Sequence, residues 1–425
     1  MEQQQRQVIS DHSLSQSRTR CRVSGSSARP EPASLAAADM QAGRSVVVID
    51  VKGDLCERIL GQVPQKREAD VVVLDLADAE RPVGFNPLSH ASRNPELVAD
   101  QLHSVLKAQS AGAWGVRISD VIHAAALTLA QQPKPTLVAL PLLLSNARFR
   151  RRALAGIDDP FGLQPFWASF DALSSHEREQ TIAPVMRRLR QLLLRPQMRV
   201  VLGQMDPKFD IHEVLTRRRI LLVNLARGLV GPSASSLMGS LVVARLWQEL
   251  LGRANVPAEK RHPISIFIDE VQEHVHGVTD VADMFAMARS HGGALHVAHQ
   301  TLGQLPTTLR DALAANARSR IVFQTTADDA AYFTRGQRAL NPEDFVRLPR
   351  YEAYTSLLTE GQVMPYASLR TAKLPEPISD AQRIRELSRD RFGVDRASVE
   401  AELRALLEPD PTPDDAPIGQ RRRSS

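Results

Sequence analysis

The sequence has little of several residue types that mark common protein classes. Only two of its 425 residues are cysteines, Cys21 and Cys56, which excludes a disulfide framework and fits a reducing compartment. Aromatic residues make up 4% of the chain. The longest apolar run, residues 137–144, is interrupted by Pro141 and is too short to cross a bilayer. The N-terminus has no apolar core of the signal-peptide kind, so we expect a cytoplasmic protein of two or three domains.

Lysine is also scarce, with seven residues among 53 basic ones, so arginine carries most of the positive charge. The net charge of +5 is mildly positive, which suits a nucleic-acid partner but is weak support for one. Two arginine clusters, at 148–152 and 187–190, fall in helical patterns. We expect both to be solvated helix faces rather than DNA contacts.

The hydrophobic pattern divides the chain into five parts. Residues 1–35 are rich in Gln, Ser and Arg and are predicted to be disordered or an out-of-frame remnant. Strands alternate with helices in 36–95 and 211–375, which predicts an α/β fold around one parallel sheet. Residues 96–210 repeat apolar positions every three or four residues, which predicts an inserted all-α domain, and 376–425 is predicted as a helical segment with a tail. The strands are expected at 46–49, 71–74, 220–223, 264–268, 295–298 and 321–324.

An acidic pair follows one of these strands directly. The run PISIFI ends in Asp269 and Glu270, the pattern that Walker B motifs show in nucleotide-hydrolysing proteins. A buried strand can aim the first carboxylate at Mg²⁺, and the second can polarise the attacking water. The other interpretation is a strand that ends in a solvated acidic turn.

The next strand ends in a polar residue as well. Gln300 follows it, where an amide could sense the γ-phosphate or hold the attacking water. Arg289 precedes the same strand and could act as an arginine finger in a neighbouring subunit. Considered alone, Arg289 could equally be a surface arginine, and Gln300 could equally be a glutamine in a turn. The spacing of His291, His296 and His299 fits no standard zinc pattern, so no metal site is expected there.

In their order along the chain, several motifs resemble one family. VVVIDVKGDL, VGFNPL, WGVRISDVI, ILLVNLARGLVG, IFIDEVQEHV, MARSHGGALHVAHQTLGQLP and AANARSRIVFQT are similar to the ATPase domain of type IV secretion coupling proteins, over about residues 36–375. The resemblance implies a RecA-like P-loop NTPase sheet with an inserted all-α domain. It also implies ATP and Mg²⁺ at the interfaces of a hexameric homo-oligomer, with DNA in a basic pore. Type IV secretion components are implied as partners, with any membrane association through them at the inner-membrane face.

The family's functional residues carry over position by position. Loops at 224–228 and 316–320 also match, without an assigned role. Val51 replaces the proline of the family's DPKGD loop. The matching positions are Asp269 for Mg²⁺ through water, Glu270, Gln300 and Arg289 for catalysis, and Asp50, Lys52 and Asp54 for nucleotide binding.

The phosphate-binding loop expected before the 46–49 strand is missing from the sequence. A Walker A loop needs glycines, a lysine for the β- and γ-phosphates and a Ser or Thr for Mg²⁺. No lysine precedes Lys52, and no Gly-Lys pair occurs anywhere in the chain. The P-loop strand is therefore predicted to be missing too. A truncated or frameshifted copy, an inactive subunit, and substitution by Lys52 are the explanations that remain open, and the absence of the family's membrane-anchoring helices favours truncation.

Two functions follow from this pattern. The first is a subunit of an ATP-driven DNA translocase of conjugative or type IV secretion, impaired in ATP hydrolysis. The second is a non-catalytic remnant or adaptor of the same fold that binds secretion-complex partners or DNA. The translocase function requires that the strand ending in Asp269–Glu270 and the strand ending in Gln300 meet at one edge of the sheet.

Overall fold

The computed structural model describes residues 21–24, 31–89, 94–109, 115–275 and 281–407. A nine-stranded sheet lies at its centre, in the order β11-β8-β7-β1-β6-β5-β2-β4-β3, and β9 pairs with β10 in a separate hairpin. The seven strands from β7 to β3 in that order are mutually parallel. At the edge next to β7, β8 pairs antiparallel with β7, and β11 pairs antiparallel with β8. The strands are β1 Cys21–Ser24, β2 Ser45–Asp50, β3 Val71–Asp75, β4 Ile220–Asn224, β5 Ile264–Ile268, β6 Gly293–His299, β7 Ser319–Val322, β8 Glu352–Ser356, β9 Leu358–Thr359, β10 Gln362–Val363 and β11 Ala367–Arg370.

Helices cover both faces of the sheet, and every named element that the structure describes between β3 and β4 is a helix. The helices before and within that segment are α1 Glu31–Gln41, α2 Asp54–Leu60, α3 Pro95–Ala108, α4 Val116–Ala130, α5 Leu140–Ser145, α6 Ala147–Leu154, α7 Leu163–Ala172, α8 Ser175–Leu193, α9 Pro196–Gly203 and α10 His212–Thr216. Those that follow are α11 Arg227–Val230, α12 Pro232–Leu251, α13 Val281–Met287, α14 Thr307–Asn316, α15 Ala327–Thr334, α16 Pro342–Val346, α17 Ala381–Phe392 and α18 Arg396–Ala405.

The alternation of side chains along β2 shows why the sheet needs helices on both faces. Val46 and Val48 pack in one hydrophobic cluster with α1 and α2, whereas Val47 and Ile49 pack in the large cluster on the opposite face. All six residues of β2 are buried. A strand that is buried on both faces reads as a continuous β-branched run rather than an alternating one, as the sequence does here.

The predicted α/β sheet with an all-α insertion is confirmed, and all six predicted strands are present. The prediction of disorder for residues 1–35 is wrong for β1 and for the start of α1, because a strand and a helix are present there. Cys21–Ser24 lies between β6 and β7 and is parallel to both. The run CRVS is too short and too polar to give a strand signal, and its place is fixed by pairing on both sides.

Of the two C-terminal helices, α17 packs back onto the sheet, whereas α18 packs against α9 of the inserted segment. Helix α17 lies against the edge strand β3, where the backbone N–H of Val73 donates to Ser388 Oγ at 2.9 Å. Ion pairs of Arg383 with Glu68 and of Arg389 with Asp78 flank this contact. The helix therefore covers an edge that would otherwise expose unpaired backbone groups.

The arginine cluster at 148–152 is only partly the solvated helix face that the sequence predicts. Arg150 is buried, 2% exposed. Its guanidinium packs over the rings of Trp167 and Phe170 and pairs with Asp171. Arg148 and Arg151 are exposed, as expected. A charged residue can be buried in this way only because it has a paired carboxylate and aromatic faces.

Candidate functional site

The carboxyl ends of β5 and β6 bring three of the predicted site residues together, namely Glu270 and Gln300, predicted for catalysis, and Asp269, predicted for Mg²⁺. Asp269 and Glu270 follow β5 and are 6% and 5% exposed. Gln300 follows β6, and its Nε2 donates to Glu270 Oε1 at 2.7 Å. Since these strands are adjacent and parallel, their carboxyl ends meet at one edge of the sheet. The acidic pair is therefore not the solvated turn of the alternative interpretation.

The acidic tip has a strained backbone and a second amide contact. Glu270 has φ 47° and ψ 56°, the left-handed region that non-glycine residues seldom adopt. Gln272 Nε2 donates to Glu270 Oε2 at 3.1 Å, so each oxygen of this carboxylate accepts one side-chain amide. Strain of this kind persists where the surroundings fix the conformation, and it is common at functional sites. Gln272 is a site residue that the sequence did not single out, although it lies two positions after the acidic pair.

The loop after β2 is organised by the first of its predicted nucleotide-binding residues. Asp50 is 1% exposed. Its two carboxylate oxygens accept the backbone N–H groups of Lys52 and Cys56, each at 2.9 Å. The Lys52 and Asp54 side chains are exposed. Asp50 thus has a structural role in shaping this loop, and nucleotide contacts by all three residues stay predictions.

A thiol and a glycine show how tightly this loop is packed. Burial, with a smaller contribution from Asp50, raises the pKa of the Cys56 thiol well above its ordinary value, so it stays protonated. Gly53 has φ 97°, and a β-carbon there would lie 2.9 Å from Asn224 Oδ1. The loop after β2 can approach β4 this closely only because residue 53 is glycine.

The ends of β3 and β4 form a polar cluster beside that loop. Asn224 Nδ2 donates to Asp75 Oδ1 at 2.8 Å, and Asn224 Oδ1 accepts the backbone N–H of Ala226 at 3.0 Å. Burial raises the pKa of Asp75. Further along, Arg227 pairs with Glu273 at 3.1 Å and so ties the loop after β4 to the loop after Asp269–Glu270. The predicted motif loop at 224–228 therefore borders the acidic tip.

Arg289 is not part of this cluster within its own chain. It is exposed and lies in the turn that precedes β6, whereas Gln300 follows the end of β6. A seven-residue strand separates the two, which corresponds to roughly 20 Å. A role in a neighbouring subunit, as the sequence predicts for it, would not require Arg289 to reach the cleft of its own chain.

Two histidines of this region, His296 and His299, lie on β6. Among the described residues, no group of three or more His, Cys, Asp or Glu side chains could hold a metal ion. His296 stacks on Phe267 with ring centroids 4.4 Å apart, and burial lowers its pKa to about 4. His299 is 3% exposed.

The strand β1 ends level with this edge of the sheet. Ser24 pairs in register with His299 of β6 and Val322 of β7. The chain then passes through 25–30, which lie outside the described residues, and enters α1 at Glu31. A strand in the middle of a parallel sheet, followed by a short connection and a helix, is the arrangement of a P-loop. The connection has one glycine, Gly25, and no lysine.

None of the described helices is both long and apolar enough to span a bilayer. The sheet and its inserted helices define a RecA-like fold. The sequence matches no protein-family model and no curated protein.

Solved structures match over most of the chain and specify the fold further. The bacterial conjugative coupling protein TrwBdeltaN70, in an unbound form, superposes with a TM-score of 0.58 at 15% identity and covers 86% of this chain and 87% of its own. TrwB in complex with ADP and Mg²⁺ gives 0.56 at 16% identity, with 85% and 87% covered. VirB4 of Thermoanaerobacter pseudethanolicus gives 0.54 at 10% identity, with 83% and 89% covered. The protein has the fold of the type IV secretion coupling protein TrwB, which confirms that resemblance at the level of the fold.

Proposed function

We propose that this protein is a subunit of a type IV secretion DNA translocase of the coupling-protein kind, impaired in ATP hydrolysis. The observation that carries the proposal is the 2.7 Å hydrogen bond between Gln300 and Glu270 beside the buried Asp269. It supports a shared cleft at the carboxyl edge of β5 and β6. DNA, further copies of this chain in a hexameric ring and other secretion components are the proposed partners, in the cytoplasm at the inner-membrane face.

The residues present fit Mg²⁺ better than they fit the phosphates. Asp269 offers a carboxylate at the end of a buried strand, a ligand that Mg²⁺ prefers, through water. Mg²⁺ with ATP would supply charge neutralisation at the phosphates. Glu270 would act as the base toward water, and Gln300 would orient it. Arg289 would act in the neighbouring subunit, while Lys52 and Asp54 would contact the nucleotide from the loop that Asp50 holds.

The missing lysine limits this activity. A hydrogen bond to a charged group contributes about 1.5–3 kcal/mol, which corresponds to roughly 10- to 150-fold in affinity. Lysine also neutralises charge as the γ-phosphate is transferred, so its loss should lower turnover further. The second candidate, a non-catalytic adaptor of the same fold, is favoured by this one feature, the absence of a Gly-Lys pair.

A nucleotide-binding titration separates the two candidates. The full chain is titrated with a fluorescent ATP analogue in Mg²⁺, beside the variant Asp269→Ala. Asp311→Ala, an exposed carboxylate on α14, is the control. We expect the full chain to bind the nucleotide weakly and to hydrolyse ATP at a rate close to background. Asp269→Ala should abolish this binding, and Asp311→Ala should preserve it. No binding at millimolar nucleotide would leave the adaptor, and hydrolysis at the rate of an intact motor would refute the impairment.

A further inference from the structure

A cavity of about 380 Å³ lies between the inserted helices and the N-terminal turn of α12. Arg188 and Gln191 of α8, with Arg195 just beyond that helix, form one wall, and Ser233 and Ala234 of α12 form another. We call it the Arg188–Arg195 pocket. It is separate from the acidic tip of β5.

The pocket borders the loop after the acidic tip without being part of it. Gln109, the residue after the end of α3, also lines the pocket and donates through Nε2 to Ser236 Oγ at 3.1 Å. Ser236 Oγ in turn donates to the carbonyl oxygen of Glu273 at 2.6 Å. Two hydrogen bonds therefore join the wall of the pocket to the loop that follows Asp269–Glu270.

The charges in this pocket are unbalanced. Two arginines line it and no carboxylate does. In the part of the chain that the structure describes, neither arginine forms an ion pair, although many other arginines here do. Both are half-buried. The prediction of a solvated helix face for 187–190 thus fits Arg187 and Arg190, which are exposed, and does not fit Arg188.

The position of Arg195 adds a second electrostatic cost. Its guanidinium packs on Gly231, since a β-carbon there would lie 3.1 Å from Arg195 Nη2. Gly231 is the N-cap of α12, a 20-residue helix without a side-chain cap. The N-terminal end of a helix carries partial positive charge, so a cation there is unfavourable unless an anion accompanies it. The last carbonyl of α8, at Leu193, accepts from Arg199 rather than from Arg195.

We propose that the Arg188–Arg195 pocket binds a phosphate group. Guanidinium groups match phosphate with paired N–H donors. The backbone N–H groups of Ser233 and Ala234, in the first turn of α12, are the donors that helices offer to anions. The cavity has the size of a small-molecule site, so a phosphodiester segment of single-stranded DNA or a free nucleotide or pyrophosphate would fit. The DNA source rests on the proposed function, whereas the phosphate site does not.

Calorimetry with inorganic pyrophosphate tests the site itself. The full chain is compared with the double variant Arg188→Gln/Arg195→Gln and with the matched control Arg187→Gln/Arg190→Gln, which removes two exposed arginines of α8. We expect the double variant to bind pyrophosphate at least tenfold more weakly and the control to bind as the wild type does. Arg187 and Arg190 are exposed, and Arg188 and Arg195 border the cavity. Equal melting temperatures would show that the variants are folded. Equal affinities of the two double variants would overturn the proposal.

A second titration identifies the source of the phosphate. Binding of a labelled oligothymidylate is measured against salt for the same proteins. Because each phosphate contact on a single strand contributes about 0.7 to the slope of log K against log salt, loss of two contacts lowers the slope by about 1.4. A lower slope assigns the pocket to DNA. An unchanged slope with weakened pyrophosphate binding assigns the pocket to a free anion. A slope that falls by the same amount in the control variant refutes a specific DNA contact in the pocket.

The same measurements on Glu270→Gln keep this site apart from the proposed function. Glu270 does not line the pocket. Pyrophosphate binding should therefore be the same in Glu270→Gln as in the wild type, even if no nucleotide binds at the acidic tip. A changed pyrophosphate affinity in Glu270→Gln, in either direction, would place the anion at the acidic tip and overturn the pocket.

Discussion

Acidification should destabilise the protein through His296, a half-buried histidine on the strand that leads to Gln300. Burial lowers the pKa of His296 from 6.5 to about 4, while Asp39 opposes this and Arg44 adds to it. The unfolded chain therefore binds a proton that the native state does not bind between pH 6.5 and 4. The native state loses stability as the pH falls through this window.

The size of the effect follows from the pKa difference. A difference of about 2.5 pH units, at about 1.4 kcal/mol per unit, gives about 3 kcal/mol at pH 4 and almost nothing at pH 7. The variant His296→Leu has no imidazole at this position, so this pH-dependent loss of stability is absent. Since His296 stacks on Phe267 and its Nδ1 has no hydrogen-bond partner in the described part of the chain, the leucine variant should stay within about 1 kcal/mol of wild type at pH 7.

Urea unfolding at pH 7, 6, 5 and 4 measures this difference. We expect the stability of His296→Leu, relative to wild type, to rise by about 3 kcal/mol across the series. His176→Gln, on the exposed surface of α8, reports the effect of removing a histidine that is not buried. Parallel pH curves for wild type and His296→Leu would refute the reasoning, and so would an NMR titration of His296 with a midpoint near 6.5.

Three further predictions follow from single contacts. Gly53→Ala should destabilise by about 1–3 kcal/mol in thermal unfolding, because φ is 97° and the new methyl would meet Asn224; an unchanged melting temperature would contradict the close approach. Ser388→Ala should lower the free energy of unfolding by about 1–3 kcal/mol, because the buried backbone N–H of Val73 loses its acceptor. Hydrogen exchange of the Val73 amide should also become faster if α17 protects the edge strand β3. Gln300→Ala removes a hydrogen bond to Glu270 that contributes about 1.5–3 kcal/mol, so the rate of deuterium uptake by the backbone amides at the acidic tip should rise about tenfold or more. Unchanged uptake would show that this hydrogen bond does not hold the tip in place.

The main strands could be read from the sequence because their signal is local. β-branched runs such as the one in β2 are buried on both faces, and few other structures accommodate them. Strand β1 could not be read in this way. Four residues of mixed polarity have no periodicity, and only pairing with β6 and β7 makes them a strand.

The site was predictable in part for the same reason. Asp269, Glu270 and Gln300 follow strong strands, and parallel strands place their carboxyl ends at one edge. The hydrogen bonds from Gln272 and Gln300 to Glu270 depend on side-chain directions and on the left-handed backbone conformation of Glu270. Neither feature can be predicted from the pattern of residues in the sequence. Likewise, nothing local indicates that Asp50 holds the backbone of its own loop.

The sequence by itself determined the α/β class, the helical insertion, the acidic pair and the absence of a Gly-Lys pair, since each depends on neighbouring residues or on composition alone. Only the tertiary structure decided which side chains meet. Three such contacts join residues far apart in the chain. They are the pairing of β1 with β6 and β7, the hydrogen bond from Gln300 to Glu270, and the packing of Arg195 on Gly231 at the N-terminus of α12. Such contacts are set by the packing of whole elements, because burial and pairing energies depend on what lies opposite in space.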